Sequence, residues 1–213
     1  MKNLQSGRSM IEMIGVLAII GVLSVGGLAA YTKAMMQYRI SHTLAQVSEI
    51  ASRVSMIGEQ ASSYAGLSNN VAIKMKAVPG DMITPNSTDL TTVFSGDAKI
   101  ESSTLLAETG ETSDDLAFTI TYTGISAAEC LRLAAQDWKS GQNSTFIGIG
   151  FAAAENAKST VAKKLHLDCK TQAVSNSPAY AIGCAGSTAL QVDEAMTGCN
   201  CTGDTCIMVV KYY

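Results

Sequence analysis

Gly7-Arg8-Ser9-Met10-Ile11-Glu12 leads directly into Met13–Ala30, a run without one charged side chain. The run approaches the roughly 20 helical residues needed to cross a hydrocarbon core about 30 Å thick. Lys2 and Arg8 precede it, so the positive-inside rule puts the N-terminus in the cytoplasm and the bulk of the chain outside. A secretory signal cut near Gly27-Leu28-Ala29 fits this hydropathy, and so does an ordinary signal anchor. Neither needs Glu12. A carboxylate costs about 2.5–3.5 kcal/mol near the centre of a membrane helix and less near its end.

The helical pattern also continues past the apolar run. Tyr31-Thr32-Lys33-Ala34-Met35 contains no breaker, and Ile40, Leu44, Val47, Ala51, Val54, Ile57 and Ala61 recur at three- and four-residue spacing. Arg39, Gln46, Glu49 and Arg53 lie between them, with Glu49 and Arg53 in the favourable order for an ion pair one turn apart. One helix over about residues 9–60 would be roughly 75 Å long at about 1.5 Å per residue. That is too long for the interior of a compact domain of this size, and half of it is expected to project.

These residues resemble the processing site of type IV prepilins: a glycine before the cut, then a glutamate at the fifth mature position, opening an apolar helix. The resemblance implies cleavage after Gly7 by a prepilin peptidase and N-methylation of the new terminus at Arg8. Arg8 departs from the Phe or Met usual at that place. It also implies that Glu12 meets the N-terminal amine of a neighbouring subunit. A new amine beside an apolar bundle would neutralise a carboxylate that is otherwise costly to bury. Gly15, Gly21, Gly26, Gly27 and Ala30 would let helices approach closely in a filament without lipid. Because glycine weakens helices, local melting near Gly21–Gly27 during assembly is expected. The division implied is a leader (1–7), a membrane and filament-core half-helix (8–31), an amphipathic half-helix (32–62) and a globular head (63–213).

The whole chain agrees with an exported structural protein. It has 213 residues, a charged fraction of 15% and a formal net charge of −3, with no concentrated basic patch for nucleic acid or an acidic membrane surface. The positive mean hydropathy has its source in residues 10–31, and the remainder is rich in Ser, Thr, Ala and Gly. All six cysteines, Cys130, Cys169, Cys184, Cys199, Cys201 and Cys206, fall in the second half. In an oxidising compartment an even set reads as disulfides. Zinc binding by Cys199, Cys201 and Cys206 lacks a paired spacing and would need a reducing compartment.

Residues 62–116 lose regular period and carry turn chemistry at Pro79-Gly80, Thr84-Pro85-Asn86-Ser87 and Thr112-Ser113-Asp114-Asp115, which reads as a long surface connection. Val78-Pro79-Gly80-Asp81-Met82 is similar to a segment of type IVb and conjugative thin pilins. Ala117–Thr123 alternates as a strand with one buried face, and Ser126-Ala127-Ala128-Glu129 is a capping box opening a helix that carries Cys130. Phe146–Phe151 and Ala179–Ile182 read as strands. Cys206–Tyr213 reads as a final strand after a Thr202–Thr205 hairpin turn. The cysteines alone leave the connectivity open. Local geometry favours Cys201–Cys206 across that hairpin. The family likeness favours Cys130 with a C-terminal cysteine, and Cys130–Cys199 with Cys169–Cys184 would complete the set.

His42 and His166 have no nucleophile or carboxylate at motif spacing, and Glu108, Glu111, Asp114 and Asp115 read as a solvated loop. With no phosphate loop or dinucleotide fingerprint, nothing points to an enzyme, a metal or a cofactor. The expected fold is α+β: a pilin fold with a long N-terminal helix packed on an antiparallel, disulfide-stabilised head. The expected role is a filament subunit forming a helical homo-oligomer, with the prepilin peptidase and an inner-membrane assembly platform as partners. It would sit in the inner membrane with its head in the periplasm before moving to an extracellular pilus. A type II secretion pseudopilin, or a minor pilin or tip adhesin, would share these features. A signal-anchored periplasmic binding domain would share the apolar run but not Glu12.

Overall fold

The computed structural model describes residues 6–106, 112–138, 145–167, 169, 172–174, 179–185 and 190–213. Helix α1 spans Ser6–Ala61. The chain divides by its contacts at Arg39/Ile40, and each unit has its own logic.

In the first unit α1 is long and apolar enough to cross a membrane, and its apolar side chains are exposed. Its two hydroxyl side chains with room to fold back do so. Ser24 Oγ donates to the Ile20 carbonyl at 2.7 Å, and Thr32 Oγ1 to that of Ala29 at 3.0 Å. Each thereby satisfies itself within the helix, which suits surroundings without water.

In the second unit the remainder of α1 lies on a seven-stranded sheet. The strands are β1 (Leu90–Thr91), β2 (Asp97–Leu106), β3 (Thr112–Ile125), β4 (Phe146–Ala152), β5 (Gln172–Val174), β6 (Tyr180–Cys184) and β7 (Cys206–Tyr212). Their order is β1-β2-β3-β7-β4-β6-β5, and every pairing is antiparallel. The last strand in sequence is thus the middle of the sheet. Among the described residues four short α-helices complete the unit: α2 (Asn69–Lys74), α3 (Ala127–Ala134), α4 (Lys158–Lys164) and α5 (Val192–Gly198). The architecture is the expected α+β arrangement, stabilised by disulfides.

Helical spacing on α1 buries Ile40, Val47, Ile50, Ala51 and Val54. The buried stripe also includes Thr43 and Gln46, while Leu44 and Ile57 are half-buried and Ala61 is exposed, so it runs slightly off the expected line. On the sheet, residues two apart share a face. Ile100, Phe118, Ile120, Tyr122, Val210 and Tyr212 are buried in the layer with α1. There Phe118 stacks on Tyr212 at 5.3 Å between centroids, and Tyr64, just past α1, tilts onto Phe118 at 4.9 Å. The opposite face builds a second core under α4 from Ala117, Ile147, Val161, Leu165, Ile182, Ile207 and Val209.

Several elements differ from the sequence reading. β3 is buried on both faces along Ala117–Tyr122, not on one, because α4 and its neighbours crowd the far side and leave only a groove over Thr119 and Thr121. The stretch taken as a long surface connection contains β2, whose outward Lys99 and Glu101 alternate with buried Ala98 and Ile100. Thr112–Asp115 opens β3 rather than forming a turn, with Asp115 at φ 59° where the ladder shifts register. The Thr202–Thr205 segment is not a hairpin. It follows α5, and β7 pairs with β3 and β4. The capping box is as expected: Ser126 Oγ accepts from the Glu129 amide, and the Glu129 carboxylate accepts from the Ser126 amide.

Candidate assembly site

The residues implicated in processing and assembly lie at the start of α1. Gly7 and Arg8 belong to its first helical residues, while Met1–Gln5 of the expected leader lie outside the described residues. Glu12 is exposed beside Met13, Val16 and Leu17, which makes it the one charged group on a stretch whose other side chains are apolar or small. Val22 and Val25, 75% and 73% exposed, typify the surface beyond it. Beside Gly15, Gly21, Gly26 and Gly27 nothing lies within 4 Å of where a side chain would begin. This surface can bury itself in hydrocarbon or against a flat helical partner, and it carries a single carboxylate, Glu12.

The six cysteines form three bonds: Cys130–Cys199, Cys169–Cys184 and Cys201–Cys206. The first ties α3 to the end of α5 across 69 residues of sequence. The second ties the segment after α4 to the end of β6. The third closes the short loop between α5 and β7, with a sequence separation of 5. All six sulfurs are used, which leaves no thiolate to bind zinc. Two of the three bonds therefore flank the entry of β7 into the middle of the sheet. Among the described residues no His, Cys, Asp and Glu group could hold a metal ion.

Two polar features of the head were not visible in local sequence. Gln46 Nε2 donates to Asp81 Oδ2 at 2.7 Å, and His42 Nε2 stands 3.5 Å from the same oxygen. Tyr122 reaches Gln46 from beneath, and burial, with Asp81 adding to it, pushes its phenol well above the usual range. His42 thus has a carboxylate companion, but one 39 positions away in sequence, within Val78–Met82. The cluster joins α1 to the turn after α2.

Lys211 is the second feature. It sits in central strand β7 with 1% of its surface exposed, and its ammonium donates to the Ala162 carbonyl of α4 at 2.9 Å. That carbonyl is one of the last four of the helix, which have no partner within it, so a cation there satisfies both an acceptor and the helix dipole. Burial pushes the Lys211 ammonium down to about 8.

The sequence matches the model of the PilS N-terminal family over residues 37–177. The chain belongs to the PilS family of type IVb pilins. It is therefore a pilin, a structural subunit that assembles into pilus filaments, and not an enzyme. Among solved structures it is similar to the crystal structure of the type IVb pilin from Salmonella typhi, at 15% identity and a TM-score of 0.46, over 79% of this chain and 96% of that one. Comparison with curated proteins gives no match.

Proposed function

We propose that this pilin is made as a precursor, held in the inner membrane by residues 10–30 of α1 with its head in the periplasm. A prepilin peptidase cuts it after Gly7 and methylates Arg8, and an inner-membrane platform then adds it to an extracellular filament. The carrying observation is the first part of α1: a helix exposed and apolar all round, with Glu12 as its one carboxylate. In lipid that surface is covered by acyl chains. On extraction it needs an equal apolar cover, which copies of the same helix supply. The amine freed at Arg8 neutralises Glu12 of a neighbour, an interaction strengthened where water is excluded.

The test is the N-terminal residue and mass of the membrane-bound chain, with and without a co-expressed prepilin peptidase. Peptidase-dependent loss of Met1–Gly7, followed by recovery of the shortened chain in sheared filaments, is the expected result. An intact Met1 in the presence of peptidase, or a cut near Ala29, would overturn the proposal.

A further inference from the structure

The face of the sheet opposite α1 is only half covered. α4 seals β4, β6 and β7, and its edge then stands over a groove floored by β2 and β3. The groove has a volume of about 420 Å³, within the roughly 300–1,000 Å³ common for small-molecule sites.

Its floor is unusual for a sheet face. Thr119 and Thr121, 6% and 1% exposed, stand where β-branched apolar residues would pack, and both line the groove. Neither hydroxyl has a hydrogen-bond partner among the described residues, and the same holds for half-buried Ser103 and exposed Ser159 on the walls. Buried hydroxyls in folded proteins are nearly always bonded, because leaving one dry and unpaired is costly. The two threonine hydroxyls open onto this space rather than being sealed from it, so what fills the groove, water or a ligand, supplies their partners.

The rim sets the charge of that occupant. Lys158 Nζ lies 3.7 Å from Glu101 and 3.9 Å from Glu155, and Lys99 pairs with the other oxygen of Glu101. Two carboxylates and one ammonium line the groove, and each charge already has a partner. An anion or a cation would have to displace one of these partners. The apolar faces that would hold a hydrocarbon are absent from the floor. A neutral polyhydroxylated ligand meets every condition. Its hydroxyls both donate and accept, as threonine and serine hydroxyls do, and the paired carboxylates keep lone pairs free to accept from it.

We infer that the groove between α4 and the β2–β3 face binds a neutral saccharide unit, recognised by Thr119, Thr121, Ser103 and Ser159 with Glu101 at the rim. This is a binding function of the head, separate from the assembly function of α1.

Full-length protein in a detergent without sugar headgroups would be screened by saturation-transfer NMR. The probes are glucose, galactose, mannose, N-acetylglucosamine, lactose and maltose, each at up to about 10 mM, where a millimolar site is nearly filled. At least one should receive saturation from the protein. Thr119→Val and Thr121→Val keep shape and remove the hydroxyl, and each should raise the Kd of that sugar about 3- to 10-fold, the loss of one neutral hydrogen bond. Ser87→Ala, outside the groove, should leave it unchanged. Melting curves of the variants are recorded alongside, and if either valine variant melts early, Ser103→Ala and Ser159→Ala on the walls decide. No transfer to any of the six sugars would overturn the inference. So would binding that the groove variants leave unaltered, since the space then holds only water or the sugar binds elsewhere.

Discussion

Replacing Lys211 with methionine tests the physics of the head most directly, because it removes one titrating group from the middle of the sheet and keeps its length. The folded protein holds the Lys211 ammonium near 8, against 10.5 in the unfolded chain, and the cause is desolvation. A base whose folded value lies below its unfolded value binds fewer protons when folded. Stability therefore rises with pH between about 8 and 10.5, and below 8 the full penalty is present. At about 1.4 kcal/mol per unit the penalty comes to about 3 kcal/mol, an upper figure because the Ala162 carbonyl partly solvates the charge. Methionine does not titrate, so the stability difference between wild type and Lys211→Met isolates this one group. Other titrations, including the buried phenols of Tyr122 and Tyr212, cancel in the difference. The assay is urea unfolding of the full chain in detergent at pH 7, 8, 9 and 10. The disulfides stay intact throughout, since no free thiol is present to shuffle them. Wild type should gain on Lys211→Met by about 2–3 kcal/mol between pH 7 and pH 10. A difference that does not change with pH would refute the reasoning, because it would mean the ammonium is hydrated in the folded state.

Two further outcomes follow from close contacts and charge. A methyl group at Gly198 would lie 2.7 Å from the Ala181 amide nitrogen and 2.9 Å from the Phe151 carbonyl oxygen, both backbone. Gly198→Ala should thus cost about 1–3 kcal/mol in thermal unfolding, whereas Gly80→Ala, in open space and at an ordinary φ, should show no such clash. Glu12→Gln should leave cleavage after Gly7 intact and cut the yield of sheared filaments by at least about tenfold, because the new amine then lacks its partner. An unchanged yield would remove Glu12 from the assembly scheme.

The fold was legible where a single physical signal dominated. The apolar run to Ala30 and the three- and four-residue spacing beyond it announce α1. The run of β-branched and aromatic residues in Ile207–Tyr212 announces a strand. What the sequence could not show is that this last strand would become the central one, since pairing with β3 and β4 joins residues far apart in the chain. β2 was obscured because Ser102, Ser103 and Thr104 blur its alternation, and α4 and α5 because each is only 7 residues long. At the site, Glu12 stood out because a lone carboxylate in an apolar run has no structural excuse. Lys211 and the threonines of β3 did not stand out, because a Lys or Thr in a strand ordinarily faces water. Only the position of α4 makes Lys211 a helix cap and leaves Thr119 and Thr121 lining a groove.

The exposed apolar side chains of α1 and its single carboxylate carry different kinds of information. About a dozen large apolar residues between Met10 and Leu28 lie open, and covering them is worth about 1.5–3 kcal/mol each. The total is tens of kcal/mol, far more than one ion pair supplies. Yet apolar burial has no direction. Sliding one such helix past another by a turn exchanges one set of methyl groups for a similar set and changes the free energy little. Under the proposed assembly scheme Glu12 is different, because out of register it would face hydrocarbon unpaired, at several kcal/mol. In that scheme burial holds the subunits together once they have left lipid, and one charge sets the register by making wrong alignments expensive. A filament grown one subunit at a time needs both, since an error of one turn would propagate through every copy added after it.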